Sequence, residues 1–216
     1  MLALASVRID DGIAEGGEVS PFYDAMVAKV IVHGRDRDDA LRRLAAALED
    51  APLVGLRNNG RYLRDLARHP EFARGAVTTR RLDDWAAARA PINVAPAADD
   101  EDWAIAAARR MQADRDAPAS GPVAPGVAAR RIALACAGVT RALAVAGTRV
   151  RVGERDIDVV LHPADADGWR AVEIDGVRRR RLVVDDGERV HIVRDAMVHV
   201  FAEPSPYPQP DAAAAA

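Results

Sequence analysis

Lys29 is the only lysine of the chain, and it lies in the stretch SPFYDAMVAKVIVHG, residues 20–34. Every other basic residue is an arginine. An ammonium is a compact point charge on a flexible stem, whereas a guanidinium is a broad planar fork, so the two do not replace each other in a confined polar site. Lys29 is therefore either a charge that a binding site requires or a lysine with a buried stem that pairs with Asp24 or Asp10.

The other residues that could do chemistry form no recognisable catalytic or metal-binding pattern. The five histidines are scattered without the spacing of metal ligands, and no Ser/His/Asp or Cys/His set is placed for catalysis. The glycines of EGGE, residues 15–18, precede no predicted helix, so we expect no phosphate site there. The run Arg178–Arg181 alternates on a predicted strand, and it either binds an acidic partner or forms a solvated edge that resists strand pairing. We therefore predict no catalytic residue and no metal ligand in this chain.

Composition narrows the class of protein. The net charge is -3 with a pI near 6.0, which disfavours a nucleic-acid or anionic-membrane partner. The single cysteine, Cys136, excludes an internal disulfide and fits a small buried apolar residue in a reducing, cytoplasmic setting. No signal peptide is recognisable, and no apolar run reaches the roughly 18 to 20 residues that cross a bilayer.

The elements that must position these residues fall into four segments. Residues 1–89 mix strands and helices. The elements predicted there are a strand at Leu2–Asp10, a buried strand at Met26–His33, a helix capped by Asp36, a helix capped by Asn58 or Asn59, and a helix at Arg80–Ala88. Residues 90–130 resemble a linker that contains one helix at about 100–113, with Trp103, Ile105, Ala106 and Met111 on it.

Residues 131–203 switch to a period of two, with about eight short strands and hairpin turns at Asp175–Gly176 and Asp186–Gly187. This pattern indicates an antiparallel barrel or a highly curved sheet. Residues 204–216 form a Pro/Ala linker. The predicted fold class is α+β, with a mixed lobe of sheet and helices followed by a helix and an eight-stranded antiparallel barrel-like domain.

Residues 7–85 resemble a known family. The blocks VSPFYDAMVAKVI, GRDRDDAL, GLRNN and HPEFARG follow the order and spacing of the C-terminal lobe of biotin carboxylase, in the form found in acyl-CoA carboxylase alpha subunits. The resemblance departs from the family at Ala25, where Pro or Ser is usual, and at Asn58, where Thr is usual. The helix and eight strands that follow resemble, by order and strand count, the domain that tethers alpha to beta subunits in methylcrotonyl- and propionyl-CoA carboxylases.

The resemblance implies where the chemistry of the parent enzyme lies. Biotin carboxylation uses biotin, ATP, magnesium and bicarbonate, and the family performs it in an ATP-grasp module that precedes Val7. The biotin-carrying lysine normally follows an Ala-Met pair directly, but neither Ala25-Met26 nor Ala196-Met197 is followed by a lysine. We therefore expect that this fragment binds none of these cofactors, and that the carrier domain lies beyond Ala216.

The resemblance also assigns candidate site residues. Arg8 matches an arginine at the carboxylase dimer interface, with an exposed strand charge as the alternative. Tyr23 and Asp24 match the edge of the biotin pocket and a subunit contact, or they simply anchor the loop that precedes the second strand. Lys29 then supplies a charge near the carboxylase site or the dimer seam.

The leading interpretation is a non-catalytic fragment of an acyl-CoA carboxylase alpha subunit that shapes one wall of the carboxylase site and docks the carboxyltransferase beta subunit. The ATP-grasp module, the carrier domain and a second copy of the chain are the other expected partners, with no nucleic acid and no membrane. The alternatives are a stand-alone scaffold or binding protein derived from a truncated carboxylase, and a hydrolase in the barrel, for which no site is found. The sequence leaves open the acyl-CoA, which could be methylcrotonyl-, propionyl-, acetyl- or geranyl-CoA.

Overall fold

The computed structural model describes residues 7–20, 22, 24–116 and 129–204, with the side chains of 114–116 left aside. Contacts divide the chain into two compact units, residues 1–95 with the turn residues 195–197, and the remainder from Pro96 onward. Among the described residues, no helix combines the length and the apolar character that crossing a bilayer requires. The two units are described separately below.

The N-terminal unit contains a two-stranded sheet and a set of helices. Its elements are β1 (Val7–Asp11), β2 (Ala28–Val32), α1 (Arg37–Asp50), α2 (Gly60–Arg68), α3 (Pro70–Ala73), α4 (Thr79–Ala87) and a 3₁₀ turn (Pro91–Asn93). Asp36 caps α1 as predicted, because its Oδ1 accepts a hydrogen bond from the Asp39 amide at 2.8 Å. Gly34 lets the chain turn tightly into α1, since a Cβ there would lie 2.4 Å from the Ala40 amide nitrogen.

The helices of this unit are held by apolar contacts and by ion pairs between neighbours. Glu49 of α1 accepts from Arg64 at 3.3 Å and from Arg68 at 3.1 Å, both on α2. Glu71 of α3 accepts two hydrogen bonds from Arg81 of α4, at 3.0 and 2.9 Å. These ion pairs join α1 to α2 and α3 to α4.

Residues 26–33 were predicted to form a buried strand; a strand forms there, but it is not buried. β2 pairs only with β1 among the described residues, and its positions alternate between half-buried and exposed. Ile31 is 41 % exposed because one face of this two-stranded sheet packs on α1 while the other face is open. Residues Leu53–Leu56 form a turn that the Asn58 side-chain amide holds by donating to the Leu53 and Leu56 carbonyl oxygens.

The second unit is a closed eight-stranded antiparallel barrel, which confirms the predicted fold class. Its elements are α5 (Asp100–Asp116), β3 (Arg130–Cys136), β4 (Val139–Ala146), β5 (Arg149–Val152), β6 (Arg155–Ala164), β7 (Trp169–Ile174), β8 (Val177–Asp185), β9 (Arg189–Arg194) and β10 (Met197–Ala202). The strands follow in sequence order around the barrel, and β10 closes it against β3. Asp175 and Gly176 both have positive φ, as the predicted two-residue hairpin turn requires.

Helix α5 fills the inside of the barrel. Residues 102–107 are consecutive and almost completely buried, which requires neighbours on every side of the helix. The helix contacts β3, β4, β5, β6 and β9, and the Trp103 ring meets the edge of Phe201 on β10 with centroids 5.0 Å apart. The four alanines among residues 104–108 keep the helix thin enough to lie within an eight-stranded barrel, whose interior is otherwise filled by its own side chains.

The ends of α5 carry charges that match charges of the barrel. At its N-terminus, Asp100 lies 2.7 Å from Arg141 on β4 and Glu101 lies 2.5 Å from Arg179 on β8. Further along the helix, Arg110 bonds Glu203 at 3.2 Å. The acidic residues of the first turn also interact favourably with the helix dipole.

Candidate functional site on the two-stranded sheet

The pairing register of β1 and β2 brings three of the charged residues to one face of the sheet. Arg8 lies opposite Ile31, and Asp10 lies opposite Lys29. Because side chains alternate along a strand, these four residues share a face. All four are exposed, Ile31 to 41 %. We call this surface, formed by Arg8, Asp10, Lys29 and Ile31, the open face.

Arg8 and Asp10 form a two-fold hydrogen-bonded ion pair on the open face. Arg8 Nε donates to Asp10 Oδ1 at 2.7 Å, and Arg8 Nη2 donates to Asp10 Oδ2 at 2.8 Å. The side chains are 73 % and 45 % exposed, so the pair contributes only about 0–1 kcal/mol to stability. Its geometry instead presents a preformed carboxylate and guanidinium to whatever approaches this face.

Lys29 lies directly across the sheet from Asp10 but is exposed. Within the part of the chain that the structure describes, Lys29 makes no ion pair, either with Asp10 or with Asp24. Both carboxylate oxygens of Asp10 already accept hydrogen bonds from Arg8. The ammonium of Lys29 is thus a solvated charge that no described residue holds in place, and its role in a site stays a prediction.

The loop that leads into β2 carries the remaining candidates. The Asp24 carboxylate accepts a hydrogen bond from the Met26 amide at 3.0 Å, a local turn that shapes the entry to the strand. Tyr23 lies outside the described residues. The apolar side chains of Phe22 and Met26 in this loop are 95 % and 57 % exposed.

The opposite face of the sheet rests on α1, and a cluster around one carboxylate secures the start of that helix. Asp39 is buried, and it accepts from the Arg35 amide at 3.1 Å and lies 3.0 Å from Arg43 Nε. Arg42 also pairs with it. The Arg35 amide bond, followed by the Arg43 bond, lowers the pKa of Asp39 to about 2, so the carboxylate is ionised at neutral pH.

The open face can bind but offers no reactive group of its own. It has two cations, one paired carboxylate and an apolar residue, and a shallow groove of about 530 Å³ runs beside Asp10, Lys29 and Met26. Among the described residues, no cluster of histidine, cysteine, aspartate or glutamate has the geometry of a metal site. This arrangement is suited to contact with an anionic group or with another protein surface.

Reasoning from sequence missed Asp10 and Ile31 as members of the face, although Asp10 was considered as a partner of Lys29. The signal was present in the alternation of both strands, VRIDD and AKVIV. Without the register between the strands, however, that alternation does not tell which residues of one strand meet which of the other.

Comparison with known proteins identifies the unit that carries the open face. Residues 2–84 match the family described as the biotin carboxylase C-terminal domain. The human propionyl-CoA carboxylase alpha chain is 39 % identical over 83 residues, which cover 38 % of this chain and 11 % of that protein. The mouse methylcrotonoyl-CoA carboxylase subunit alpha is 46 % identical over 74 residues, or 34 % of this chain and 10 % of that protein.

A third relative is not named as an acyl-CoA carboxylase. Urea amidolyase of Saccharomyces cerevisiae is 40 % identical over 78 residues, which are 36 % of this chain and 4 % of that protein. The chain thus spans a small fraction of the length of the relatives it matches, and the family match ends before the barrel begins. Residues 2–84 are therefore homologous to the biotin carboxylase C-terminal domain of carboxylase alpha subunits.

Proposed function

We propose that this chain is a section of the alpha subunit of a biotin-dependent acyl-CoA carboxylase. In this proposal the N-terminal unit forms one wall of the biotin carboxylase site, and the barrel docks the carboxyltransferase beta subunit. The observation that carries the first part is the homology of residues 2–84, reached at 36–46 % identity with several carboxylase alpha subunits. The barrel lies outside this match, so its docking role is supported by the fold alone.

The exposed groups of the N-terminal unit fit such a wall. Phe22, Met26 and Ile31 expose apolar side chains; Ile31 lies opposite Arg8, and Met26 lines the same groove as Lys29. Exposed apolar groups of this kind are typical of surfaces that contact another protein. Contact with an ATP-grasp module, or with a second copy of the lobe, would cover these groups and place the two cations beside a bicarbonate, carboxyl or partner carboxylate.

The parent reaction uses ATP, magnesium, bicarbonate and biotin. The described residues present no cluster of metal-ligating side chains, and the glycines of residues 12–17 lie in an irregular loop that leads to β2 and not to a helix. This part of the chain therefore does not fit ATP with magnesium, and we assign no step of the carboxylation to it. Its contribution is to position and to enclose.

Two measurements test the proposal. Mixing the chain with a purified carboxyltransferase beta subunit should give a complex that co-elutes in size-exclusion chromatography. Adding the separately expressed ATP-grasp module should restore ATP turnover that depends on free biotin, while the chain alone should show none. A chain that binds neither protein would instead be a stand-alone scaffold derived from a carboxylase.

A further inference from the structure

A groove of about 520 Å³ lies on the outer surface of the barrel, where the β6–β7 loop meets β8. Val172 of β7 and Val183 of β8 point into the core, so alternate residues of these strands, including Ala171 and Arg180, face outward. The residues that line the groove and concern us are His162, Asp165, Trp169, Arg170, Arg178 and Arg180.

Trp169 is placed differently from the other two tryptophans. Trp85 and Trp103 are 8 % and 2 % exposed, whereas Trp169 remains accessible on the outer surface. The Arg180 guanidinium carbon lies 4.2 Å from the centroid of the Trp169 ring. Tryptophan and arginine are the residues most often found at the energetic centre of protein interfaces, and a stacked pair on an outer strand is not needed to fill the core.

The β6–β7 loop beside Trp169 and Arg180 is held by hydrogen bonds within the chain itself. The Asp165 side chain accepts from the Asp167 amide at 3.1 Å and from the Trp169 amide at 2.9 Å. It also lies 3.8 Å from Arg180, so its charge is already engaged. A surface held in this way loses little conformational entropy on binding, which favours affinity.

The positive charges that line the groove are not all neutralised by ion pairs among the described residues. Arg178 is exposed and makes no ion pair with any described residue. Arg170 is half-buried, and its Nε has no hydrogen-bond partner within the described ranges. Arg170 has the same orientation on β7 as Val172, towards the interior, where Asp185 is already a neighbouring anion. Arg178 is thus the outward-facing cation that a carboxylate of a partner would pair with.

We propose that this groove is the docking site for an acidic segment of the protein partner of the barrel, with Trp169 and Arg180 as its apolar anchor and Arg178 as its receptor for a carboxylate. The inference rests on the proposed function, which makes that partner the carboxyltransferase beta subunit. It goes further by naming the surface and the chemistry of the segment that the surface receives.

The binding experiment uses the full chain and a purified beta subunit in isothermal titration calorimetry. Trp169→Ala and Arg178→Glu should each weaken binding by at least about tenfold, because truncation of an anchor and reversal of a receptor charge remove central interactions. Arg131→Glu is the matched control, since Arg131 is exposed on β3, diametrically across the barrel from β7, and makes no ion pair with a described residue. It should bind as the unmodified chain does.

Two results would overturn different claims. If the unmodified chain binds the beta subunit and both groove variants bind equally well, the groove is not the docking site, while the proposed function stands. If the unmodified chain does not bind at all, the proposed partner is wrong. Circular dichroism of each variant shows whether the barrel is still folded, and Arg178→Ala replaces Arg178→Glu if the reversal unfolds it.

A second measurement addresses the groove without the beta subunit. A fluorescein-labelled glutamate-rich peptide of ten residues should bind the chain in an anisotropy titration, with affinity that falls in 0.5 M salt and in Arg178→Glu but not in Arg131→Glu. Equal binding by the two variants contradicts an acid-specific groove. Preferential binding of a short single-stranded RNA over the peptide would likewise overturn the assignment to an acidic protein segment.

Discussion

Arg194 of β9 and Asp102 of α5 meet inside the barrel, with Arg194 Nη2 2.9 Å from Asp102 Oδ2. Asp102 is 1 % exposed and exchanges hydrogen bonds of 3.0 Å with Asp99, the amide of each residue donating to the carboxylate of the other. This reciprocal arrangement is a capping box, in which two otherwise unpaired amides at the start of the helix are satisfied. The same carboxylate therefore begins the helix and ties it to the barrel wall.

Asp102 should make the stability of the barrel depend on pH. Burial, and secondly the charge of Asp99, raise the pKa of Asp102 from its ordinary 3.8 to about 6, although Arg194 and Arg181 act in the opposite direction. The folded state then holds a proton that the unfolded state releases, so stability contributed by this group falls as the pH rises from about 4 to 6. Burial, followed by the charge of Arg194, lowers the pKa of the nearby His199.

Asp102→Asn keeps an oxygen for the Asp99 amide and removes the titration. We expect the variant to lose this part of the decline between pH 4 and 6, about 1–2 kcal/mol, as measured by urea unfolding at a series of pH values. Asp100→Asn, in the same turn but with a side chain 41 % exposed, controls for the loss of one negative charge. Identical pH profiles for the unmodified chain and Asp102→Asn would contradict the prediction.

Ala106 should tolerate no larger side chain. It is completely buried on the helix inside the barrel, and Ala106→Leu adds three carbons to a space enclosed by strands. We expect a loss of about 1–3 kcal/mol in the free energy of unfolding from chemical denaturation. Ala86→Leu on the exposed side of α4 is the control and should change stability by less than about 0.5 kcal/mol. A neutral Ala106→Leu would mean that the helix is not enclosed.

Asp39 should contribute to the acid stability of the N-terminal unit. Its pKa is lowered to about 2 in the folded state, so its stabilising contribution is complete above about pH 4 and disappears as the pH falls from 4 to 2. Asp39→Asn should be less stable than the unmodified chain at pH 7 and should show a shallower loss of stability in acid, followed by circular dichroism. Asp38→Asn, exposed in the same helical turn, is the comparison; if it behaves like Asp39→Asn, the arginine cluster is not responsible.

Lys29 should be dispensable for folding. Since it is exposed and makes no ion pair with described residues, Lys29→Ala should change the free energy of unfolding by no more than about 0.5 kcal/mol. Val30→Ala, on the adjacent half-buried position facing α1, should cost about 1 kcal/mol in the same urea titration. If both variants lose the same stability, Lys29 serves the fold, and its assignment to a binding face is weakened.

Local patterns predicted much of the secondary structure. The Asp36 cap, the Asp175–Gly176 turn and the eight strands each depend on residues close together in sequence, and the structure contains all three. Cys136 was expected to be a small buried apolar residue and is 6 % exposed. Such features are predictable because their physical causes act over a few residues.

The burial of β2 and the position of α5 were not predictable in this way. An apolar run such as AKVIV is equally compatible with a buried strand and with one that exposes a face, and the number of neighbouring strands decides between them. Likewise, four apolar residues predicted a helix at about 100–113, but not the uninterrupted burial of residues 102–107, which reflects a barrel around it. Only the closure of strands distant in sequence creates that enclosure.

By itself, the sequence determined the local elements, the homology of residues 2–84 and the absence of a lysine after either Ala-Met pair. Tertiary structure alone decided that Arg8, Asp10 and Lys29 share a face, that Asp102 meets Arg194, and that Trp169 stacks on Arg180. The physical reason is that strand register and barrel closure join residues that are far apart along the chain. No local propensity records such pairings, because their energy exists only once both partners are in place.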